Sequence, residues 1–539
     1  MDWFSDWIGE MNIRNADLKW WAYSSTGKNF LSSALGARVL EVLAIRNLAR
    51  SGRYRHIYVR GATCGQMKSI SGLLHEEYSV QLPIAIYLKF NEYASHALAI
   101  LRTIFQAIRI WGAFQLLRAR RHTPGSHQPP QDIVLFTYVD GSLDSGGDRY
   151  FGDLPSRIHE REPASRTAYV AYVYTPYRKR LREITSVSPT PYLPLYQFLS
   201  SGDLLQAVGQ TVGATFLRNA NLGASHADAE AMKDLLREAL LEDVSKRGYL
   251  DNLLVYAGTA RMIRCLSPRI VIYPYENKSL EKALLLAARA ASPKTKLIGY
   301  QHTSITPRHI GLRFGITEAA RTPLPDRIVT VGNITRSYLE HFGNYPPGIL
   351  ATGCALRQSW EAPFLQKPFA RERPKVLLAL SSSVGELVST LEFMRQVKER
   401  LPGLELGVRP HINFPLQLLP AALREWVKHS AIDLTGTRLR ENLAWADLTA
   451  YVSSTVALES LMMGRPVIYL QIDPSNPDPL LGDARFRWSA GNVDAFLDAL
   501  SSLAALNPEQ IDVMRNQGVD YVRNYLTPRS TEAIASFLQ

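Results

Sequence analysis

Residues 447–470 constrain the chain more than any other stretch, because they read as one complete repeat of a parallel α/β sheet. The apolar run Leu448–Val452 ends in Ser453-Ser454-Thr455, a short helix follows, Gly464 stops it, and Pro466 leads into a second apolar run ending at Leu470. Three hydroxyls and the free N–H groups of a helix start therefore meet where a strand ends, a place suited to an anionic phosphate. Glu459 follows Thr455 by about one helical turn, within reach of ribose hydroxyls. A plain strand–helix–strand unit shares the rhythm, but the hydroxyl mouth with an interior carboxylate points to a nucleotide.

A chain of 539 residues exceeds one ordinary core, so two or three domains are expected. Its 46% hydrophobic and 20% charged residues fit a globular enzyme rather than a disordered chain. The net charge of +12 suggests an anionic partner: a phosphorylated substrate, an acidic lipid surface or nucleic acid. The basic residues are dispersed rather than gathered on an aromatic-studded face, which counts against nucleic acid. Cys64, Cys265 and Cys354 are scattered, with neither metal spacing nor a disulfide framework, as suits a reducing compartment. The N-terminus carries Asp2, Asp6 and Glu10 among tryptophans and does not read as a secretory signal.

Residues 1–125 read as a mainly helical region, with one strand expected at His56–Arg60 and a long helix from Phe30 to about Ala49. The segment from Trp20-Trp21 to Lys28-Asn29 suits sugar or phosphate contacts, or equally a helix cap over buried tryptophans. No run of about twenty uninterrupted apolar residues predicts a membrane span. Residues 95–121 come nearest: Arg102 and Arg109 share one helical face, Arg118, Arg120 and Arg121 crowd one end, and Leu, Ile, Phe and Trp fill the rest. That pattern fits a helix lying in a membrane surface, or a domain helix with a basic C-terminal end matched to its dipole.

After a linker at 122–131, strands and helices alternate: strands at Ile133–Tyr138, Thr167–Tyr174, Ile270–Tyr273, Lys296–Tyr300 and Asp326–Val331, with helices between. A Pro-rich connection at 358–374 precedes a second series at Lys375–Leu380, Leu404–Val408, Ala431–Leu434, Leu448–Val452 and Val467–Leu470, closed by helices from 492 onward. The fold class is thus α/β, with two doubly wound Rossmann-like units at 126–357 and 358–539 facing a cleft.

Candidate site residues cluster at strand ends. In the second unit these are Ser381-Ser382-Ser383 with Gly385 and Glu386, then Arg409 and His411, then Thr435-Gly436-Thr437, and finally Ser453, Ser454, Thr455 and Glu459. Ser is also simply a good helix cap, so the four loops carry more weight together than singly. In the first unit, Glu276-Asn277-Lys278 and Gln301-His302 end consecutive strands, which a parallel sheet sets side by side. Glu276 is a candidate general base, with His302 a proton donor or charge stabiliser. Asp140 and Asp144, in a Gly/Asp loop, are turn formers first and acids second. There is no phosphate-loop lysine motif, zinc-protease motif, nucleophile elbow, or Gly-x-Gly-x-x-Gly after a strand.

These residues resemble the GT-B glycosyltransferases over roughly 130–530, through the cadence of Asp326–Gly332, of Ala351–Cys354 and of 447–470. A narrower resemblance is to bacterial surface-polysaccharide transferases that use CMP-activated acidic sugars such as Kdo or sialic acid, with a His-Pro motif and a Ser-Ser/Thr motif around CMP. Ser453-Ser454-Thr455 matches the second motif; Arg409-Pro410-His411 resembles the first, but Ile412 stands where its proline would be. The resemblance implies a metal-independent transferase without a cofactor, taking a nucleotide sugar to a lipid-linked or surface glycan. It implies Ser382, Ser383, Arg409, His411, Ser453, Ser454, Thr455 and Glu459 for the donor. Glu276, His302 and Asp140 would serve chemistry, and Asn277, Lys278 and Gln301 the acceptor. Such an enzyme is expected in the cytoplasm, peripheral to the inner face of a bacterial inner membrane whose anionic surface attracts it. A sugar-nucleotide 2-epimerase and a non-catalytic assembly scaffold are the alternatives.

Overall fold

The computed structural model describes the chain except residues 1, 30–32, 75–84, 120–128, 140–147, 174–191, 217–219, 224–226, 247, 359–368, 370–372, 382–383, 412–413, 474–476 and 483–485. Thirteen strands occur among the described residues. Those of the first sheet are β1 (Ile133–Val139), β2 (Thr167–Val173), β3 (Tyr192–Pro194), β4 (Ile270–Pro274), β5 (Lys296–Gln301), β6 (Arg327–Thr330) and β7 (Leu350–Thr352). The second sheet comprises β8 (Lys375–Ala379), β9 (Glu405–Arg409), β10 (Ile432–Asp433), β11 (Leu448–Tyr451), β12 (Val467–Leu470) and β13 (Arg487–Ala490).

The sheets run in the order β3-β2-β1-β4-β5-β6-β7 and β10-β9-β8-β11-β12-β13. Every neighbouring pair is parallel. Central strands such as β1, with all seven residues buried, are continuous apolar runs because helices cover both faces. In each sheet the chain lays strands outward to one side, then returns to the middle and proceeds to the other. The reversals fall between β1 and β4 and between β8 and β11, where crevices open at the strand C-termini.

The N-terminal helices form a layer against the first sheet's helices rather than a separate body. Asn252 Nδ2 donates to the Ala22 carbonyl at 2.8 Å, and Lys28 is paired with Glu318 in the interior. Trp20, Trp21 and Lys28 are all buried, so the cap reading of this segment is the one realised. The strand expected at His56–Arg60 is absent: these residues are exposed and unpaired in any sheet, their apolar–polar alternation having no neighbouring strand to meet. Within the helix Ala85–Ala119, residues Ala94–Gln115 are long and apolar enough to cross a membrane by length and composition, despite their two arginines.

The last residues return to the first sheet. Thr527 N donates to the Val331 carbonyl at 2.8 Å, Arg529 pairs with Asp153 at 2.8 Å, and the Phe537 ring lies 5.3 Å from Tyr300. This strap ties the C-terminal helices to the first sheet.

Candidate active site

On the first sheet, adjacent strands β4 and β5 deliver Glu276 and His302 to the same edge. His302 Nε2 lies 3.2 Å from Glu276 Oε1, and Lys278 Nζ pairs with the other carboxylate oxygen at 2.5 Å. Burial alone would raise the Glu276 pKa; the His302 hydrogen bond and the Lys278 charge instead hold it well below the usual carboxylate range. Burial lowers the pKa of His302, against the pull of Glu276, so the imidazole stays neutral more readily. Its Nδ1 is buried without a partner among the described residues, and the Tyr150 and His302 rings pack edge-on with centroids 4.8 Å apart. Beneath the pair, both oxygens of Glu281 accept from Glu276 N at 3.0 Å; burial, then the Glu276 charge, pushes its pKa up to about 8.

Two residues expected to touch an acceptor are turned inward. Asn277 adopts a left-handed backbone (φ 57°) and spends its amide on the Gly311 carbonyl at 2.6 Å. Gln301 is fully buried and donates to the Thr303 carbonyl. Both bonds fix the strand ends. Lys278, half-buried beside Glu276, keeps a place at the edge. Asp140, Asp144, Ser382 and Ser383 lie outside the described residues.

On the second sheet, β8 and β11 flank the reversal and bring Ser381 and Ser453 to one crevice. Ser381 Oγ is buried without a partner among the described residues. Ser453 is engaged by Glu386, from the first turn of the helix Val384–Arg400. Ser454 is buried and Thr455 exposed at the start of the short helix Val456–Met462. Glu459 stands one turn in, with Oε2 buried and without a partner among the described residues; burial raises its pKa to about 7 against the opposing charges of Arg357 and Arg409. Arg409 donates to the Thr437 carbonyl at 2.9 Å and to Asn442 Oδ1 at 2.6 Å, which orients its guanidinium beside the mouth.

The two edges face each other. Arg357, just past β7, bears electrostatically on both His302 of the first sheet and Glu459 of the second. Arg149, near the end of β1, bears likewise on His411, whose pKa is lowered by burial and by that charge. The sequence reading missed Arg357, whose one signal is its position as the first cation after the last strand of the first sheet. It also left Glu386 without a role, although that carboxylate closes the Ser381–Glu386 run. Such a crevice can hold an anion near Arg357, hydroxyls near Glu459 and a developing positive charge near Glu276.

Two doubly wound parallel sheets facing across a cleft are the GT-B architecture expected from the sequence. No family model and no curated protein matches the chain. Among solved structures it is similar to UDP-GlcNAc 2-epimerase from Neisseria meningitidis bound to UDP-GlcNAc (10% identity, 75% of this chain and 99% of that one, TM-score 0.42). It is similar also to the Anabaena protein HepE in complex with UDP (10%, 75% and 97%, TM-score 0.42). A third is CalG4, the calicheamicin glycosyltransferase (15%, 76% and 98%, TM-score 0.41). Likeness at this level concerns general shape and carries no assignment of activity.

Proposed function

We propose that the protein is a glycosyltransferase that moves a sugar from a nucleotide-activated donor, linked to CMP or UDP, to a glycan acceptor. One observation carries this reading: Glu276 is held by His302 and Lys278 on the first sheet, and Arg357 acts electrostatically on both that His302 and Glu459 of the second sheet. The nucleotide sits at the reversal of the second sheet, its ribose hydroxyls donating to Glu459 and its phosphate near Arg357, Ser454 and Thr455. As the bond from the anomeric carbon to the phosphate oxygen breaks, its electron pair goes to the phosphate, and Arg357 stabilises that charge. The acceptor hydroxyl forms the new bond. Glu276, a weak base in its present pairing, serves best by staying charged beside the sugar cation. It takes the hydroxyl proton late, once bond formation has made that proton acidic.

The test combines calorimetric titration of CMP and UDP with a radiolabelled transfer assay on a lipid-linked oligosaccharide. Glu276→Gln should leave nucleotide affinity intact and reduce transfer by about 100-fold or more. The epimerase reading draws on the same acids and histidine surrounding space for one sugar. Isomerisation of a nucleotide sugar without any acceptor would decide for it, and no binding of any nucleotide would decide for a scaffold.

A further inference from the structure

The helix Ala85–Ala119 has two unlike faces along its described middle. Ala99, Thr103, Ile110, Ala113 and Phe114 are buried, and the helix packs on Ser201–Ala214 and Lys233–Ser245. On the opposite face Leu98, Leu101, Ile104, Phe105, Ile108 and Trp111 are exposed, with Leu101, Phe105 and Ile108 at 64, 61 and 62%. Their spacing of three, four and seven sets them in one stripe. Scattered exposed apolar residues are ordinary; six large ones in a single stripe are not.

The rim of the stripe is basic. Arg102 and Arg109, seven apart and both exposed, fall together along the edge bordering Leu98, and the Arg109 guanidinium lies 5.9 Å from the Phe105 ring centroid. Earlier in the same helical layer, residues 53–60 form a second exposed run of this chemistry. Arg53, Arg55 and Arg60 alternate there with Tyr54, Ile57, Tyr58 and Val59, and Tyr58 is 91% exposed. Apolar side chains interleaved with arginine match the boundary between acyl chains and anionic headgroups, where the first sink and the second stay at phosphate level.

From these observations we infer that the 94–115 stripe seats the protein on an anionic phospholipid bilayer, with the helix lying in the surface plane. Crossing is excluded by packing: the Ala99–Phe114 face rests on helices of the same chain, one of them, Lys233–Ser245, rich in charge, so lipid cannot surround the segment. The net charge of +12 adds long-range attraction of the right sign. This seat is independent of the nucleotide reading.

Flotation of the full-length protein with phosphatidylcholine vesicles, with and without about one-third phosphatidylglycerol, tests the inference. The protein should float with the anionic vesicles, weakly with the neutral ones, and less as salt rises. The triple variant Leu101→Ser, Phe105→Ser, Ile108→Ser should lose about ten-fold or more in partitioning while keeping its thermal midpoint. Arg102→Glu with Arg109→Glu, which leaves the stripe intact, should lower binding to anionic vesicles only. Nucleotide affinity in solution should be unchanged in both, so failure here is distinct from failure of the donor site. Absence of flotation with anionic vesicles, or equal partitioning of variants and wild type, overturns the inference. A native dimer that the triple variant splits, without vesicle binding, would overturn it in favour of a second copy of the chain.

Discussion

Ser453 gives its hydroxyl to Glu386, whose two carboxylate oxygens lie 2.8 and 2.9 Å away, so the mouth that should receive an anion already contains one. Glu386 is buried, and its charge repels a phosphate brought directly onto Ser453. Ser454 and Thr455 remain for the ligand. Ser453→Ala is therefore expected to change nucleotide affinity by no more than about three-fold. Ser454→Ala with Thr455→Val should weaken it about ten-fold or more, the worth of a charge-assisted hydrogen bond. Calorimetric titration of the three proteins with the same nucleotide separates these outcomes.

Glu459 gives a pH dependence of definite sign. Its pKa, raised by burial from 4.5 to about 7, means that the folded protein holds a proton there that the unfolded chain has released. That contribution to stability is present below the unfolded value and is lost as pH climbs toward 7. The ionised form is the better acceptor for two ribose hydroxyls, so nucleotide affinity should rise between about pH 6 and 8. The thermal shift caused by nucleotide should grow over the same interval, and Glu459→Gln should flatten both trends.

The neighbouring acid on the first sheet behaves oppositely. Glu276 is held below its ordinary 4.5, so its contribution to stability is full above that value and fades only as pH falls well beneath it. The wild-type rate should accordingly keep its carboxylate-dependent charge at pH 5. His302→Ala removes the leading stabiliser and should move the acid limb of kcat/KM upward, toward the usual carboxylate range. A limb that stays in place would mean that Glu276 is not the charged group the reaction uses.

Much of this was legible in the sequence, for a definable reason. Strands such as Ile270–Pro274 and Val467–Leu470 are covered on both faces and write themselves as unbroken apolar runs. Tyr192–Pro194 and Arg487–Ala490 escaped notice because short edge strands, the first ending in proline and the second carrying Arg487 and Ser489, leave no such run. The pairing of Glu276 with His302 followed from parallel order alone. The inward turn of Asn277 did not, since it depends on one left-handed residue and on a carbonyl 34 positions away. The cross-cleft place of Arg357 depends on how two sheets meet, which no local pattern encodes.

Lys28 and Glu318 show how the N-terminal helices are fixed to the first sheet. Their side chains, each 1% exposed, pair at 2.6 Å. Lys28 Nζ also donates to Ser5 Oγ at 3.0 Å and to the Arg313 carbonyl at 2.7 Å. Glu318 accepts further from Asn12 Nδ2 at 2.6 Å and from Gly315 N at 2.9 Å. Every donor of the ammonium is satisfied, so the cost of burying the pair is offset only while both partners remain. Lys28→Met should leave a buried carboxylate without its direct ion-pair partner, offset only by the electrostatic pull of Lys282, and cost about 3–5 kcal/mol in urea unfolding. Adding Glu318→Leu should recover a large part of that loss, because the second substitution removes the stranded charge. Lys28 sits at φ 53°, so an unbranched replacement is needed to keep backbone strain equal in the two variants. Additive losses in the double variant would show that the helices are held by their tryptophans and not by this ion pair.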